Sequence, residues 1–132
     1  TRVRGGVICL ISALAFHELT TQIPHEVHVA LQRGAEIPRL EYPPIRIYWV
    51  SGQAYSAGVE THELEGVSAR IYSPEKTLAD CFKFRNKIGL DTAVEAVRFY
   101  RERRSVNMDA LMRYAKICRV EKVIRPYLEA IL

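Results

Sequence analysis

The stretch from Ser73 to Asp91 reads SPEKTLADCFKFRNKIGLD and carries both a start and a stop signal for a helix. Ser73 can cap the helix, Pro74 suits the first helical position, and Glu75 complements the positive end of the helix dipole. Gly89 supplies the stop, because a left-handed residue after a helix costs glycine least. The stretch therefore predicts one helix that begins at Pro74 and ends at Gly89.

The two sides of this predicted helix differ in chemistry. An apolar stripe recurs at three- and four-residue steps, formed by Leu78, Cys81, Phe82 and Ile88. The other side carries charges at the same steps, which predicts an exposed charge network made by Lys76, Asp80, Lys83 and Lys87. Arg85 falls in line with the apolar stripe, where a guanidinium needs a carboxylate or several carbonyls. We interpret Arg85 as half of a structural ion pair that pins two elements together, with a groove between elements as the alternative.

Helical periodicity continues on both sides of the middle of the chain. Apolar residues recur from about Gly6 to Leu19 and predict a largely buried first helix. After Gly89 we expect helices over about 91–103 and over 107–118, the latter capped by Asn107. A last apolar stripe over 120–131 runs through Pro126, which predicts a bent or broken helix.

The middle of the chain alternates with a period of two instead. Alternation over 27–31 and over 45–50 predicts two strands, with a loop between them at Pro38, Pro43 and Pro44. Two further extended pieces at 58–65 and 67–72 flank Glu65-Gly66, a hairpin turn signal. We therefore expect a single domain over residues 1–132 of mixed α/β (α+β) type, with an N-terminal helix, a small and mostly antiparallel sheet, and four C-terminal helices.

Composition narrows the class of protein. The chain of 132 residues is 48% hydrophobic, which fits one globular domain, and it has no apolar run long enough to cross a bilayer. The three cysteines, Cys9, Cys81 and Cys118, are widely spaced within apolar patterns. This spacing indicates buried, reduced thiols in a cytoplasmic protein that is not bound to a membrane.

Positive charge is concentrated in the C-terminal half. Residues 1–72 carry six Lys/Arg and seven Asp/Glu, whereas residues 73–132 carry thirteen and eight, a balance of +5. A solvated helical surface explains such an imbalance, and so does a surface for an acidic partner or for nucleic acid. Arginines near the end of the second C-terminal helix extend the basic region, namely Arg98, Arg101, Arg103 and Arg104.

The candidate motifs for catalysis or metal binding do not have the residue spacing that these functions require. His25 and His28 are three apart in a predicted strand, not four apart on a helix as in zinc proteases. Cys81 lies beside Leu78 and Phe82, as a core thiol does. Gly5-Gly6 is too short for a phosphate-binding loop, and the acidic residues of the sheet have no Glu-x-Lys partner of the kind that magnesium nucleases use. We therefore expect no catalytic residues, no metal and no cofactor.

Three phrases of the sequence carry a family resemblance. SPEKTLADCFKFRNKIGLDTAVEAVRFY, with GVICLISALAFHELT before it and PYLEAIL at the end, resembles the antitoxin domain of AbiEi-family proteins. These are the antitoxin half of bacterial abortive-infection type IV toxin–antitoxin systems, a form of phage defence. In longer family members an N-terminal winged-helix domain binds the operator and represses transcription. Because this sequence begins at Thr1, only a few residues before GVICL, we expect it to leave no room for that domain.

The resemblance implies a non-enzymatic antitoxin that counters a nucleotidyltransferase-like toxin, with which it need not form a stable complex. We expect the activity on the basic faces of two consecutive helices, with Lys83 and Lys87 as the first residues to test. The alternative is a nucleic-acid-binding or degenerate nuclease-like domain that acts at the toxin's substrate. Binding to nucleic acid that weakens steeply with salt would distinguish the two.

Overall fold

A sheet of five strands and a set of helices make up the part of the chain that the computed structural model describes, residues 5–37 and 44–132. This confirms the predicted α+β class. The strands are β1 Val7–Ile8, β2 Val27–Gln32, β3 Ile45–Val50, β4 Val59–Leu64 and β5 Val67–Tyr72. The helices are α1 Leu10–Phe16, α2 Gln53–Ser56, α3 Pro74–Lys83, α4 Arg85–Ile88, α5 Leu90–Arg101, α6 Met108–Ile117 and α7 Glu121–Ile131.

The N-terminal segment differs from the predicted helix over Gly6–Leu19. Its first residues form β1, where Ile8 pairs with Val29 on one side and with Ile71 on the other. Strand pairing on both sides outweighs the local apolar periodicity, so the helix starts only at Leu10. It ends in a Schellman motif, because the Leu19 N–H donates to the Leu14 carbonyl at 2.8 Å while Glu18 adopts a φ of 61°.

The strand order in the sheet is β3-β2-β1-β5-β4. β1 pairs antiparallel with β2, and β4 with β5, whereas β2 with β3 and β1 with β5 are parallel. The prediction of a mostly antiparallel sheet is therefore wrong. A two-residue turn can join only antiparallel strands, and the sequence shows such a turn only at Glu65-Gly66. The other pairings join segments that are far apart in the chain. Alternation with a period of two identifies such strands, but it does not show which strands are neighbours or in which direction they run.

The predicted strands and the hairpin are confirmed. Alternation placed β2 and β3 correctly, and Glu65 and Gly66 form the turn between β4 and β5 with φ values of 51° and 81°. Positive φ at both central positions is the type I′ geometry that matches the twist of a hairpin. The predicted loop at Pro38 and Pro43 lies outside the described residues.

The C-terminal half contains five helices among the described residues where four were predicted. α3 ends at Lys83, since Phe84 leaves the helical region at a φ of −103° and a ψ of 26°, and α4 is a separate turn before Gly89. Gly89 has a φ of 95°, which confirms the predicted stop. Asn107 caps α6 by accepting from the Ala110 N–H at 3.0 Å, as predicted.

α7 is one uninterrupted helix through Pro126, so of the two predicted outcomes the broken helix is wrong, while a bent helix stays a prediction. Proline removes one backbone donor and leaves the carbonyl four residues earlier without its helical partner. Pro126 and Lys122 are both exposed, so that carbonyl lies on the solvent side. Water can therefore take the place of the missing bond.

α3 is the central element of the helical layer. It packs against α1, α5 and α6 and also contacts α4 and α7. Its Leu78 and Phe82 belong to the main core together with Ala30, Tyr48 and Tyr72 from one face of the sheet. Both sides of α3 are therefore covered, which determines the surroundings of its charged residues.

Candidate interaction surface

The N-terminus of α3 is built as its sequence predicts. The Ser73 hydroxyl accepts a hydrogen bond from the Lys76 N–H at 3.2 Å, and Pro74 occupies the first helical position. Glu75 lies in the first turn, where its carboxylate accepts a hydrogen bond from the Tyr100 hydroxyl at 2.6 Å. This contact ties the start of α3 to α5.

Lys76 and Asp80 are buried, which corrects the prediction that they belong to an exposed charge network. Their exposed fractions are 0% and 4%, and the Lys76 ammonium lies 2.9 and 2.8 Å from the two carboxylate oxygens of Asp80. The i,i+4 spacing does bring the two side chains together, but α3 has neighbouring helices on its polar side as well. Lys76 and Asp80 are therefore unsuitable for direct contact with a partner.

The buried pair has further partners around it. The Lys76 ammonium lies 3.8 Å from the centre of the Tyr72 ring, a cation–π contact. The Cys118 thiol donates to Asp80 Oδ1 at 3.5 Å. Burial raises the pKa of the Asp80 carboxyl, while the nearby ammonium and the thiol act in the opposite direction. The close approach of the ammonium to both oxygens is the arrangement of an ionised pair at neutral pH.

Arg85 does not form the predicted ion pair within the described residues. Its guanidinium donates to the Phe82 carbonyl at 2.6 Å, and the side chain is half-buried. The correction follows from the end of α3 at Lys83, because Arg85 starts the next turn and no longer extends the apolar stripe. An arginine that binds a carbonyl of the last helical turn is a common way to end a helix.

The other predicted surface residues fall into two groups, although all six are exposed. Arg101 donates to the Ile131 carbonyl at 3.1 Å, and Arg103 donates to the His17 carbonyl at 2.9 Å. The Arg101 guanidinium therefore joins α5 to the C-terminal end of α7, and the Arg103 guanidinium joins the segment after α5 to the C-terminal end of α1. Within the described part of the chain no carboxylate lies within ion-pair distance of the remaining group, which we name the free cations: Lys83, Lys87, Arg98 and Arg104.

The cysteines are placed as core residues. All three are buried, and burial raises the pKa of each thiol, that of Cys118 to about 12. A thiol is nucleophilic only as thiolate, so burial leaves these groups unreactive at neutral pH. Cys81 is thus the core thiol that its sequence neighbours indicated.

Of His25 and His28, the two histidines considered as metal ligands in the sequence, only His28 is buried. It stacks on Tyr48 with ring centres 5.5 Å apart, and its Nδ1 lies 3.1 Å from the Tyr48 hydroxyl. His25 is exposed and precedes β2. Over residues 5–37 and 44–132 no three metal-binding side chains come together, and no helix there has the length and apolar character to span a membrane.

Sequence reasoning missed Tyr100 as a link between elements. Its hydroxyl donates to Glu75 and accepts from the Asn107 N–H at 2.7 Å, so one side chain connects α3, α5 and the start of α6. A tyrosine at this position looks like ordinary core in the sequence. Only its polar neighbours from three elements identify its role.

Comparison with known proteins gives no assignment: no protein-family model matches this chain, and no curated protein matches it.

Proposed function

We propose that this chain is a non-enzymatic antitoxin domain of a bacterial type IV toxin–antitoxin system, and that it acts through the four free cations. The observation that carries the proposal is that these four side chains are exposed and unpaired in the described part of the fold. Lys83, Lys87, Arg98 and Arg104 extend into solvent from α3, α4, α5 and the segment after α5, without an ion-pair partner in the described ranges. Such charges remain available to an acidic partner.

The partner in this proposal is the cognate nucleotidyltransferase-like toxin, as the family resemblance implies. A basic surface can cover an acidic surface of the toxin, and this requires neither a cofactor nor turnover by the antitoxin. Charged surfaces of this kind speed encounter more than they add affinity. A functional partnership without a stable complex is consistent with that behaviour.

The free cations also favour the second candidate, a nucleic-acid-binding domain that meets the toxin at its substrate. Contacts to phosphates release counterions, so affinity for RNA or DNA would fall steeply between about 50 and 200 mM salt. Measuring anisotropy of labelled RNA and DNA over that range distinguishes the two candidates. Absence of a salt-dependent signal favours the protein partner.

Rescue of toxin-arrested cells tests the antitoxin proposal. Lys83→Glu with Lys87→Glu should abolish rescue and leave the melting temperature nearly unchanged, because exposed charges contribute little to stability. The matched control is Arg113→Glu with Lys122→Glu, which makes the same charge change at exposed positions of α6 and α7. The control should rescue as well as the unmodified protein does.

Two results would count against the proposal. If both charge-reversed pairs lose rescue equally, total charge is responsible and the free cations are not a specific surface. If the lysine variant rescues fully, Arg98→Glu with Arg104→Glu is the remaining test. Full rescue by that variant too would place antitoxicity elsewhere on the molecule.

A further inference from the structure

β4 is an edge strand of the sheet. It pairs with β5 on one side, and within residues 5–37 and 44–132 no strand pairs with its other side. An open edge presents a row of unpaired backbone donors and acceptors, which can bind another strand. The edge is therefore a surface at which backbone geometry itself can recognise a partner.

The hairpin turn determines which backbone groups point outward. In a two-residue hairpin the residues next to the turn, Leu64 and Val67, exchange both hydrogen bonds, and the pattern then alternates along the strand. The Ser73 N–H donates to the Gly58 carbonyl at 2.7 Å, as this alternation requires at the other end of the hairpin. The outward N–H and C=O groups are therefore those of Val59, Thr61 and Glu63.

The open edge is acidic although the protein is basic. The segment VETHELEG, residues 59–66, contains Glu60, Glu63 and Glu65 and no Lys or Arg, whereas the chain as a whole has a net charge of +4. Like charges opposite each other destabilise a strand pair, so two copies of β4 are poorly suited to pair directly. An incoming strand with positive side chains is complementary to this edge.

Next to the edge lies a partly exposed and largely apolar group of side chains, which we name the apolar strip: Phe16, Leu64 and Val67, together with the ring of His62, whose Nε2 lies 2.8 Å from Glu60 Oε1. The Phe16 and His62 rings are 4.7 Å apart, and Phe16, Leu64 and Val67 are 37%, 38% and 58% exposed. His62, Leu64 and Val67 share one face of the hairpin, while Thr61 and Glu63 lie on the opposite face. An added strand would place alternate side chains beside the apolar strip.

We propose that the open edge of β4 binds an extended basic segment of a partner protein as an additional strand. The outward groups of Val59, Thr61 and Glu63 provide the main-chain hydrogen bonds. Glu63 selects positive side chains on its own face, and the apolar strip takes the alternate apolar ones on the opposite face, where Glu60 is paired with His62. This mode of binding combines affinity from the backbone with specificity from alternate side chains. The proposal does not depend on the free cations.

A short labelled peptide tests the edge. The probe is a fluorescein-labelled peptide of about eight residues that alternates lysine and valine, a usual strand length. We expect saturable binding by anisotropy, and about tenfold weaker binding by Thr61→Pro, which removes an outward N–H that β5 does not use. Thr61→Val keeps that N–H and should bind as the unmodified protein does. Glu63→Gln should bind several-fold more weakly, with Glu129→Gln on α7 as the unaffected charge control.

Chemical-shift mapping of the unmodified protein keeps the test decisive if Thr61→Pro does not fold. Peptide should shift the amides of Val59, Thr61 and Glu63 more than those of Glu60 and His62, because only the first set faces outward. Equal binding of a glutamate–valine peptide, or shifts confined to other elements, would overturn the proposal. So would sedimentation showing self-association that Thr61→Pro abolishes, since the occupant would then be a second copy.

Discussion

Lys76 and Asp80 give up nearly all of their hydration in the folded chain. The desolvation of two charges is large and can exceed their mutual attraction, so a buried pair adds little net stability. Removing one partner is different, because the remaining charge stays buried without compensation. The pair therefore matters to the fold mainly through the penalty for breaking it.

Asp80→Ala should lower the free energy of unfolding by about 3–5 kcal/mol, since it leaves the Lys76 ammonium buried and unpaired. The double variant Lys76→Met with Asp80→Leu should lose much less, because both charges are gone. Urea unfolding measures the two values. Lys83→Met is the exposed control and should change stability by less than about 0.5 kcal/mol. A double variant as unstable as the single one would contradict this account.

We expect His28 to make the free energy of unfolding depend on pH. Burial lowers its pKa from the ordinary value of 6.5, and the nearby Arg46 cation lowers it further. The folded state thus binds the proton more weakly than the unfolded state does. The contribution of His28 is present above pH 6.5 and is lost as pH falls through the lowered pKa.

The free energy of unfolding should therefore decrease between pH 7 and pH values well below 6.5, and His28→Gln should reduce this decrease. Urea unfolding at several pH values is the measurement. His25→Gln serves as the control, because His25 is exposed and lies just before the same strand. An unchanged pH dependence in His28→Gln would show that other groups cause it.

At the level of elements, the turn before β4 packs closely against the first turn of α3. Gly58 has a φ of 76°, and a Cβ built there would lie 2.5 Å from the Lys76 Cβ. Gly58→Ala should thus combine backbone strain with a clash and cost more than about 2 kcal/mol. Gly34→Ala provides a matched control, because its φ is also positive at 96° but nothing lies within 4 Å.

Thermal unfolding of these two alanine variants separates the cost of backbone strain from the cost of the steric clash. Gly34→Ala should show only the backbone strain, about 1–2 kcal/mol. The difference between the variants then measures the close approach of the turn to Lys76. Equal losses in both variants would mean that Lys76 moves away at little cost.

Elements with local signals were predictable from sequence, and elements formed by distant pairing were not. Ser73, Gly89 and Asn107 act through their own hydrogen bonds or φ angles, so their roles follow from a few neighbouring residues. β1 has no such signal, because Val7 and Ile8 become a strand only between β2 and β5. The end of α3 at Lys83 likewise could not be predicted, because the apolar stripe continues past it.

For the whole molecule, the candidate surface likewise could be predicted only where it depends on neighbouring residues in the sequence. Sequence periodicity shows which residues share a side of a helix, but it does not show what covers that side. Lys76 and Lys83 were grouped together, yet only Lys83 is exposed. Arg101 and Arg103 bind carbonyls of Ile131 and His17, which are remote in the sequence. Separating free charges from engaged ones therefore requires the tertiary structure.

The position of β1 has a consequence for the order of folding. β1, the shortest strand of the described sheet, lies at its centre. Its Ile8 pairs with Ile71, and most of the N-terminal half of the chain lies between these two residues. A contact between such distant residues closes a long loop and slows the search for the native state. During synthesis the N-terminal strand must remain without its second neighbour until the β4–β5 hairpin has left the ribosome. The hairpin and the local helices can form early, and docking of β1 against β5 then completes the sheet.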